Sequence, residues 1–459
     1  MVRYTHAPDA RQFRPMSQPG HPPRDTTLRA LGRALRHRNY RLFFTGQSIS
    51  LIGSWMTRVA TSWLIYRLTG SAWLLGVLGF AGQMPTFLLA PFAGVLVDRW
   101  NRHRVLMVTQ VLAMIQSALL AVLALTGVIT VAQVVILSVF QGLINAFDMP
   151  TRQALVVHMV DDRADLANAI ALNSSMVNAA RLIGPSIAGV VIAWSSEGVC
   201  FLVDAISYIA VIASLVAMRL ALPQPPVQRT HVLGELADGV RYAMGSMPIR
   251  TLLAMLAVVS LVAMPHTVLM PIVASQVLHG GAHTLGFLMA ATGLGALAGA
   301  LYLASRRTVI GLGRVIPMSV IALGVGLAGL SQSRLLWLSL AMMPVIGAGM
   351  IVQMAASNTV LQTIVDEEKR GRVMSFYAMA FFGAAPLGSL FAGAAAQRFG
   401  APVTLLASGV VCLAAAAAFY ARLPVFRRHV RPIYVELGIL PEIAEGLQSA
   451  SQLTRPPQG

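Results

Sequence analysis

Gly94-Val95-Leu96-Val97-Asp98-Arg99-Trp100-Asn101-Arg102-His103-Arg104 is a short, Arg-rich link between two long apolar runs. The run before it, Ala72–Val97, and the run after it, Val105–Thr126, are each long enough to cross a bilayer, which takes about 20 apolar residues. A polar link this short between two such runs lies at a membrane surface. Arg99, Arg102 and Arg104 select the surface, because short links rich in Arg and Lys stay on the cytoplasmic side.

Composition agrees. Only 11% of the 459 residues are charged and 56% are hydrophobic, whereas a soluble chain carries about 25% charged residues. Too few charges remain to cover a water-facing surface. Cys200 and Cys412 are isolated inside apolar runs, so neither a disulfide framework nor a metal-ligand spacing is expected, and no cofactor is called for. The net charge of +17 sits in links and tails beside apolar runs, the pattern of attraction to an acidic lipid leaflet. No basic stretch alternates with aromatics as a single-strand binder needs, so nucleic acid is not an expected partner. The first residues hold no apolar stretch with a cleavage site, and a cleaved signal peptide is not expected.

Twelve spans follow, near Leu42–Tyr66, Ala72–Val97, Val105–Thr126, Val131–Pro150, Leu166–Trp194, Val199–Leu220, Leu252–Val277, Leu285–Ala304, Val315–Leu330, Leu335–Ala356, Val373–Gln397 and Pro402–Ala421. With both termini cytoplasmic, the outer links carry only Arg67, Arg334 and Arg398, and Arg58 and Arg181 lie within spans. Every other Lys or Arg then falls inside, which sets the orientation.

The halves repeat. Gly70-Ser71-Ala72-Trp73-Leu74-Leu75-Gly76 is similar to Gly280-Gly281-Ala282-His283-Thr284-Leu285-Gly286, Val160-Asp161-Asp162 to Val365-Asp366-Glu367, and Gly184 and Gly189 to Gly388 and Gly393. The fold expected is an all-α polytopic membrane protein of twelve transmembrane helices in two six-helix pseudo-repeats. The division is a tail at 1–38 with a basic surface helix from Thr26 to Arg38, a bundle at 39–221, a linker at 222–250 with a surface helix at Gly234–Met244, a bundle at 251–422 and a tail at 423–459. The cluster Pro223-Gln224-Pro225-Pro226 marks the linker because proline cannot continue a helix.

The pattern Gly94-x-x-x-Asp98-Arg99-x-x-Arg102-x-Arg104 resembles the signature link between the second and third helices of the major facilitator superfamily (MFS). Asn101 stands where that family usually has glycine, and asparagine tolerates a left-handed turn. The resemblance implies two parallel halves with a substrate site between them at mid-membrane, and a conformational switch at Gly94, Asp98, Arg99, Arg102 and Arg104 made of charge-assisted contacts. Arg181-Leu182-Ile183-Gly184-Pro185-Ser186-Ile187-Ala188-Gly189 resembles the end of the antiporter motif in the fifth helix of MFS exporters. There Gly184, Pro185 and Gly189 bend the helix, and the likeness favours efflux. Arg38-Asn39-Tyr40-Arg41, Gly53-Ser54-Trp55-Met56, Pro150-Thr151-Arg152-Gln153 and Asn168-Ala169-Ile170-Ala171-Leu172-Asn173 narrow it to the branch of enterobactin-exporter-like and macrolide-efflux-like proteins.

Ionisable groups inside spans are costly and mark function by default. Arg58 and Arg181 reach similar depths at 1.5 Å per residue, and cations facing a cavity draw an anionic or hydrogen-bond-accepting substrate. Gln47, Gln83, Gln141 and Asn145 are weaker cavity candidates, equally suited to bonds between helices. Asp148 and Arg152 stand four apart on one helix face and suit a pair. Asp204 suits either an ion pair with Arg58 or Arg181, or a proton carrier. His266 is a lone histidine after Pro265. No phosphate-binding loop, His-Glu-x-x-His or Gly-x-Ser-x-Gly motif is present, so no enzyme is indicated.

These features point to a secondary active exporter of a small organic molecule, proton-coupled by resemblance, monomeric, and spanning the bacterial inner membrane. Import, lysophospholipid movement, and a non-transporting sensor or scaffold are the alternatives.

Overall fold

A computed structural model describes residues 32–219, 241–306 and 308–440. The side chains at 90, 91, 94, 95, 98, 99 and 163 lie outside that description. So do most of the expected surface helices, of which only 32–38 and 241–244 are described.

The described residues form long helices and no strands. In chain order they are α1 Arg38–Thr69, α2 Ala72–Arg99, α3 Arg102–Leu125, α4 Val131–Val156, α5 Leu166–Trp194 and α6 Glu197–Ala217. The second set is α7 Met247–Val277, α8 Ala282–Ala304, α9 Leu312–Gln332, α10 Leu336–Ile364, α11 Glu367–Phe399 and α12 Ala401–Glu436. Eleven of these are long and apolar enough to cross a membrane. The exception is α1, which is long but carries Arg38, Arg41, Arg58 and Arg67 along its length. It packs along α5 and α6 inside the first half.

Several helices outrun the expected spans, because hydropathy marks where lipid ends and not where helical hydrogen bonding ends. Helix α4 passes through Pro150 to Val156, and α12 passes through Pro424 and Pro432 to Glu436. The tail expected from residue 423 therefore begins as helix. The linker expected to run to 250 ends where α7 starts, at Met247.

Helix ends follow local chemistry. Gly70 closes α1 at φ +61°, a left-handed position that costs glycine nothing. Asn101 has φ −68° and its Oδ1 accepts from Arg104 N at 3.1 Å. It caps α3 in place of the left-handed turn expected of it, relieving an orphan donor of the first turn. Helix α7 is broken after Val262, resumes at His266, and ends in a π turn at Val273–Val277. Pro265 and Pro271 each remove a backbone donor there.

The repeat reappears in packing. Helix α1 lies on α5 and α6, α2 on α4, and α3 on α6. In the second half α7 lies on α11 and α12, α8 on α10, and α9 on α12. The halves meet through α5 on α8 and α2 on α11. Matched glycines make these seams. A Cβ on Gly184 would sit 2.5 Å from Trp55 Cβ in α1, and one on Gly189 would sit 3.0 Å from Gly286 Cα in α8. Their counterparts do the same: Gly388 abuts Leu261 of α7, and a Cβ on Gly393 would sit 2.7 Å from Gly76 Cα in α2. Small residues let membrane helices approach this closely.

The close contacts between halves run from the face opposite the Arg-rich link to mid-helix. Gln397 Oε1 accepts from Ser71 and Trp73 near that end, and Gly383 meets the ring of Phe87 halfway along. The two halves thus touch at the far face.

The matched acids also share a task at the Arg-rich face. Asp161 takes His37 Nδ1 at 3.2 Å, and Asp366 takes the Tyr242 hydroxyl at 3.1 Å. Each holds the segment just before the first helix of its half. Asp165 adds a contact of 3.1 Å to His37 Nε2. Burial alone would lower the His37 pKa, but the bonds and charges of Asp165 and Asp161 outweigh it and raise it above 6.5. This contribution is therefore fully present below the unfolded value and is lost as pH rises through the raised folded value. The purified protein is expected to lose under about 1 kcal/mol of stability by this route on that rise. His37→Gln should remove that part of the pH dependence of the melting temperature; an unchanged profile would show that the clasp contributes nothing.

Candidate functional site

A polar cavity of about 140 Å³ lies within the first half, between α1, α3, α4 and α6. It exists because small and hydroxylated residues of α1 face the same way at helical spacing: Gln47, Ser50, Ser54 and Arg58 all line it, with Trp55 beside them. Helix α6 reaches it closely because Gly53 has no side chain; a Cβ there would sit 2.7 Å from Asp204 Oδ1.

Arg58 and Arg181 converge on one ring. The Arg58 guanidinium carbon lies 4.8 Å from the Trp55 centroid and that of Arg181 lies 5.2 Å from it. Contact with a tryptophan face offsets part of the cost of holding a cation away from bulk water. Neither arginine has a carboxylate partner among the described residues, and Arg181 Nε and Nη1 are buried with no hydrogen bond. Arg58 sits mid-helix and lines the cavity between these helices.

Asp204 is not paired with either arginine. Its Oδ2 accepts from Thr57 Oγ1 and Ser117 Oγ, both at 2.8 Å, and its Oδ1 is buried without a partner. Hydroxyls of α1 and α3 solvate Asp204, because α3 packs on α6 and brings Ser117 beside it. Ser54 Oγ and the Tyr208 hydroxyl lie 3.2 Å apart next to this group.

Asp148 and Arg152 do meet, as their spacing allows. Asp148 Oδ1 also accepts from Gln110 Nε2 at 2.6 Å and Thr109 Oγ1 at 3.1 Å. Asp148 therefore ties α3 to α4 as well as to its own helix. Gln141 Nε2 donates to Asn145 Oδ1 at 3.2 Å on the cavity wall. Gln47 is 2% exposed with an unpartnered Oε1. Gln83 is not part of this cavity; its amide turns back to Gly79 O at 3.0 Å. In the second half, His266 Nδ1 lies 2.7 Å from Ala263 O beside the break in α7.

At the switch link, Gly94, Asp98 and Arg99 are among the side chains outside the described set. Arg102 Nη1 lies 3.1 Å from His158 Nε2, and His103 Nε2 lies 2.9 Å from Leu215 O. These two contacts pin the start of α3 to the ends of α4 and α6.

Trp55, Thr57, Ser117, Gln110 and Tyr208 were not singled out from sequence. Hydroxyl and amide residues are common in membrane helices as ordinary packing groups, and only the helix arrangement turns Trp55, Thr57, Gln110 and Tyr208 toward one space and sets Ser117 on Asp204. The one available signal was Trp55 three residues before Arg58 on α1, which places both on one face.

Comparison with known proteins fits this geometry. The profile described as "Transmembrane secretion effector" matches residues 32–433. The chain is 24% identical to the staphyloferrin A transporter of Staphylococcus aureus, over 83% of this chain and 95% of that one. It is 29% identical to the multidrug efflux pump Tap of Mycolicibacterium fortuitum, over 77% and 88%, and 27% identical to the enterobactin exporter EntS of Shigella boydii, over 82% and 91%. A solved bacterial homologue of the lysosomal transporter Spinster shares the fold, with a TM-score of 0.65 at 15% identity over 87% of this chain and 98% of that one. The chain belongs to the transmembrane secretion effector family of MFS transporters, and it is a multi-pass membrane transporter for small molecules, not an enzyme.

Proposed function

We propose that this transporter is a secondary active exporter whose substrate carries an anionic or strongly hydrogen-bond-accepting group, moved by alternating access in exchange for protons. The observation that carries the reading is the pair of arginines on Trp55, both without a carboxylate among the described residues, with Arg58 lining the polar cavity and Arg181 buried beside it. A fixed cation in a low-dielectric chamber attracts an acidic group far more strongly than it would in water. Structural arginines in membranes are normally paired, and these two are not.

Halves 39–221 and 251–422, joined by 222–250, rock about the shared chamber, with both tails and the Arg-rich face in the cytoplasm of a monomer in the bacterial inner membrane. Glycine seams at α5–α8 and α2–α11 allow the far face to close tightly. Gly189 and the Pro185 carbonyl shape the first of these and Gly184 seats α5 on α1, while Gly94, Asp98, Arg99, Arg102 and Arg104 gate the opposite end. Asp204 is the proton carrier: a buried carboxylate with one oxygen already held by hydroxyls and the other unpartnered can take up a proton on that free oxygen. It lines the same cavity as Arg58, so the occupancy of one bears on the other. Outward movement is supported by the efflux and export functions in the names of Tap and EntS.

Expression in a bacterial host is expected to lower the accumulation of acidic aromatic compounds, and an uncoupler should abolish the effect. Asp204→Asn should abolish uphill efflux while leaving downhill exchange measurable. Raised accumulation on expression would mean import, and efflux indifferent to the uncoupler would remove proton exchange.

A further inference from the structure

A second cavity lies apart from the polar one, on the outside of the first half. It is a groove of about 530 Å³ between α3 and α4 at the Arg-rich end, with walls of Val108, Leu112, Phe140, Leu143 and Phe147. It faces outward: Val108 is 55% exposed and Leu143 is 38% exposed. At its rim Trp100 stacks on Phe147 with 6.5 Å between ring centroids, and Arg104 and Asn101 stand beside it. Arg104 is exposed and has no ion-pair partner among the described residues.

We propose that this groove is a binding site for one acidic phospholipid of the leaflet at the Arg-rich face, with an acyl chain between α3 and α4 and the phosphate on Arg104. In a bilayer a cleft with these walls is filled by hydrocarbon, since water there would face apolar carbon on every side. The rim has the chemistry of the headgroup level. Tryptophan favours that depth, and a guanidinium binds a phosphate through two parallel hydrogen bonds. The same end of the molecule is strongly basic, with Arg36 just before α1 and Arg38 and Arg41 in its first turn, which enriches acidic lipid in that leaflet.

The bound chain has a mechanical consequence. Ile144 lines both this groove and the polar cavity of the first half. Behind it, Asp148 holds Thr109 and Gln110 of α3 against α4. A chain wedged in the groove backs that wall from the lipid side and keeps water in the cavity from reaching the bilayer. The lipid site shares Arg104 with the proposed gate but does not depend on the substrate reading.

The test is lipid retention by the purified full chain, read by native mass spectrometry during titration with phosphatidylglycerol, phosphatidylcholine or glycerol phosphate. Wild type is expected to hold one phosphatidylglycerol about fivefold more tightly than phosphatidylcholine, the advantage of one basic residue near the surface. Glycerol phosphate alone should not compete. Arg104→Gln should erase the preference yet keep a lipid, whereas Leu143→Trp, which fills the groove, should lose the tightly held lipid of either kind. A second reading avoids dependence on that variant's folding. Phosphatidylglycerol with brominated chains should quench tryptophan emission in wild type, and distinctly less in Trp100→Phe. Equal retention of both lipids by wild type, an unchanged preference in Arg104→Gln, or equal quenching in Trp100→Phe would each overturn the assignment.

Discussion

Arg181→Ala is expected to cut efflux of whichever compound the wild type exports by tenfold or more, with the protein still present in the membrane at normal amount. A hydrogen bond to a charged group contributes about 1.5–3 kcal/mol, and about 1.4 kcal/mol is a factor of ten. Arg181 has two buried donors, Nε and Nη1, that bond to nothing in the protein, so a ligand group that reaches them in another state of the transporter displaces no existing partner. Stability should not fall in step. Breaking a buried ion pair is strongly destabilising because it strands the partner, but Arg181 has no carboxylate to strand. Its melting temperature should therefore hold or rise, and that separates a binding role from a folding role. Arg181→Lys should be intermediate, because lysine keeps the charge but loses the planar fork that lies on Trp55. Arg58→Ala should behave alike, and the double variant should lose less than the sum, since both cations share one ring and one guest. Efflux rates equal to wild type in both single variants would end the anion-binding reading.

Gly189→Leu is expected to abolish turnover by a different route. A Cβ at this position would lie 3.0 Å from Gly286 Cα and 3.0 Å from Ala282 O. Both are backbone atoms of α8 near the far face, so no rotamer change relieves the clash. Overpacking of this kind costs about 1–3 kcal/mol. The cost falls only on the state in which the far face is closed. Two-state populations then shift by about fivefold to more than a hundredfold toward the state open at that face. Gly393→Leu should act in the same way against Gly76 on the other seam. The measurement is labelling of a single cysteine introduced at Ser71, with Cys200 and Cys412 replaced. Wild type should label slowly, because Ser71 is bonded to Gln397 across the seam at 3.1 Å, and Gly189→Leu should label several times faster. If labelling is unchanged while transport is lost, the variant has damaged α5 itself and the proposed closure at this seam fails.

Legibility differed by kind of residue. The glycine matches Gly184 with Gly388 and Gly189 with Gly393 were visible as a repeat, and they occupy equivalent seams. Asp148 with Arg152 was visible because both sit on one helix. Asp204 was visible as an ionisable group in a span, but its partners were not. Thr57 and Ser117 come from helices 147 and 87 residues away in sequence, and no period along α6 points at them. Gln83 looked as suitable as Gln47, yet only Gln47 lines the cavity. The choice between them depends on the rotation of each helix about its own axis.

Sequence alone determined that this chain lies in a membrane, that it is built of long helices in two similar halves, and where the short links fall. Each of these is a matter of length and polarity along one segment, imposed by a bilayer that tolerates no unsatisfied backbone. Tertiary structure alone decided that two arginines share Trp55, that hydroxyls and not arginines solvate Asp204, and that a lipid-sized groove opens beside Arg104. Lipid constrains only the outside of a bundle. What faces what on the inside is set by close packing between helices, and that packing is written in no single helix.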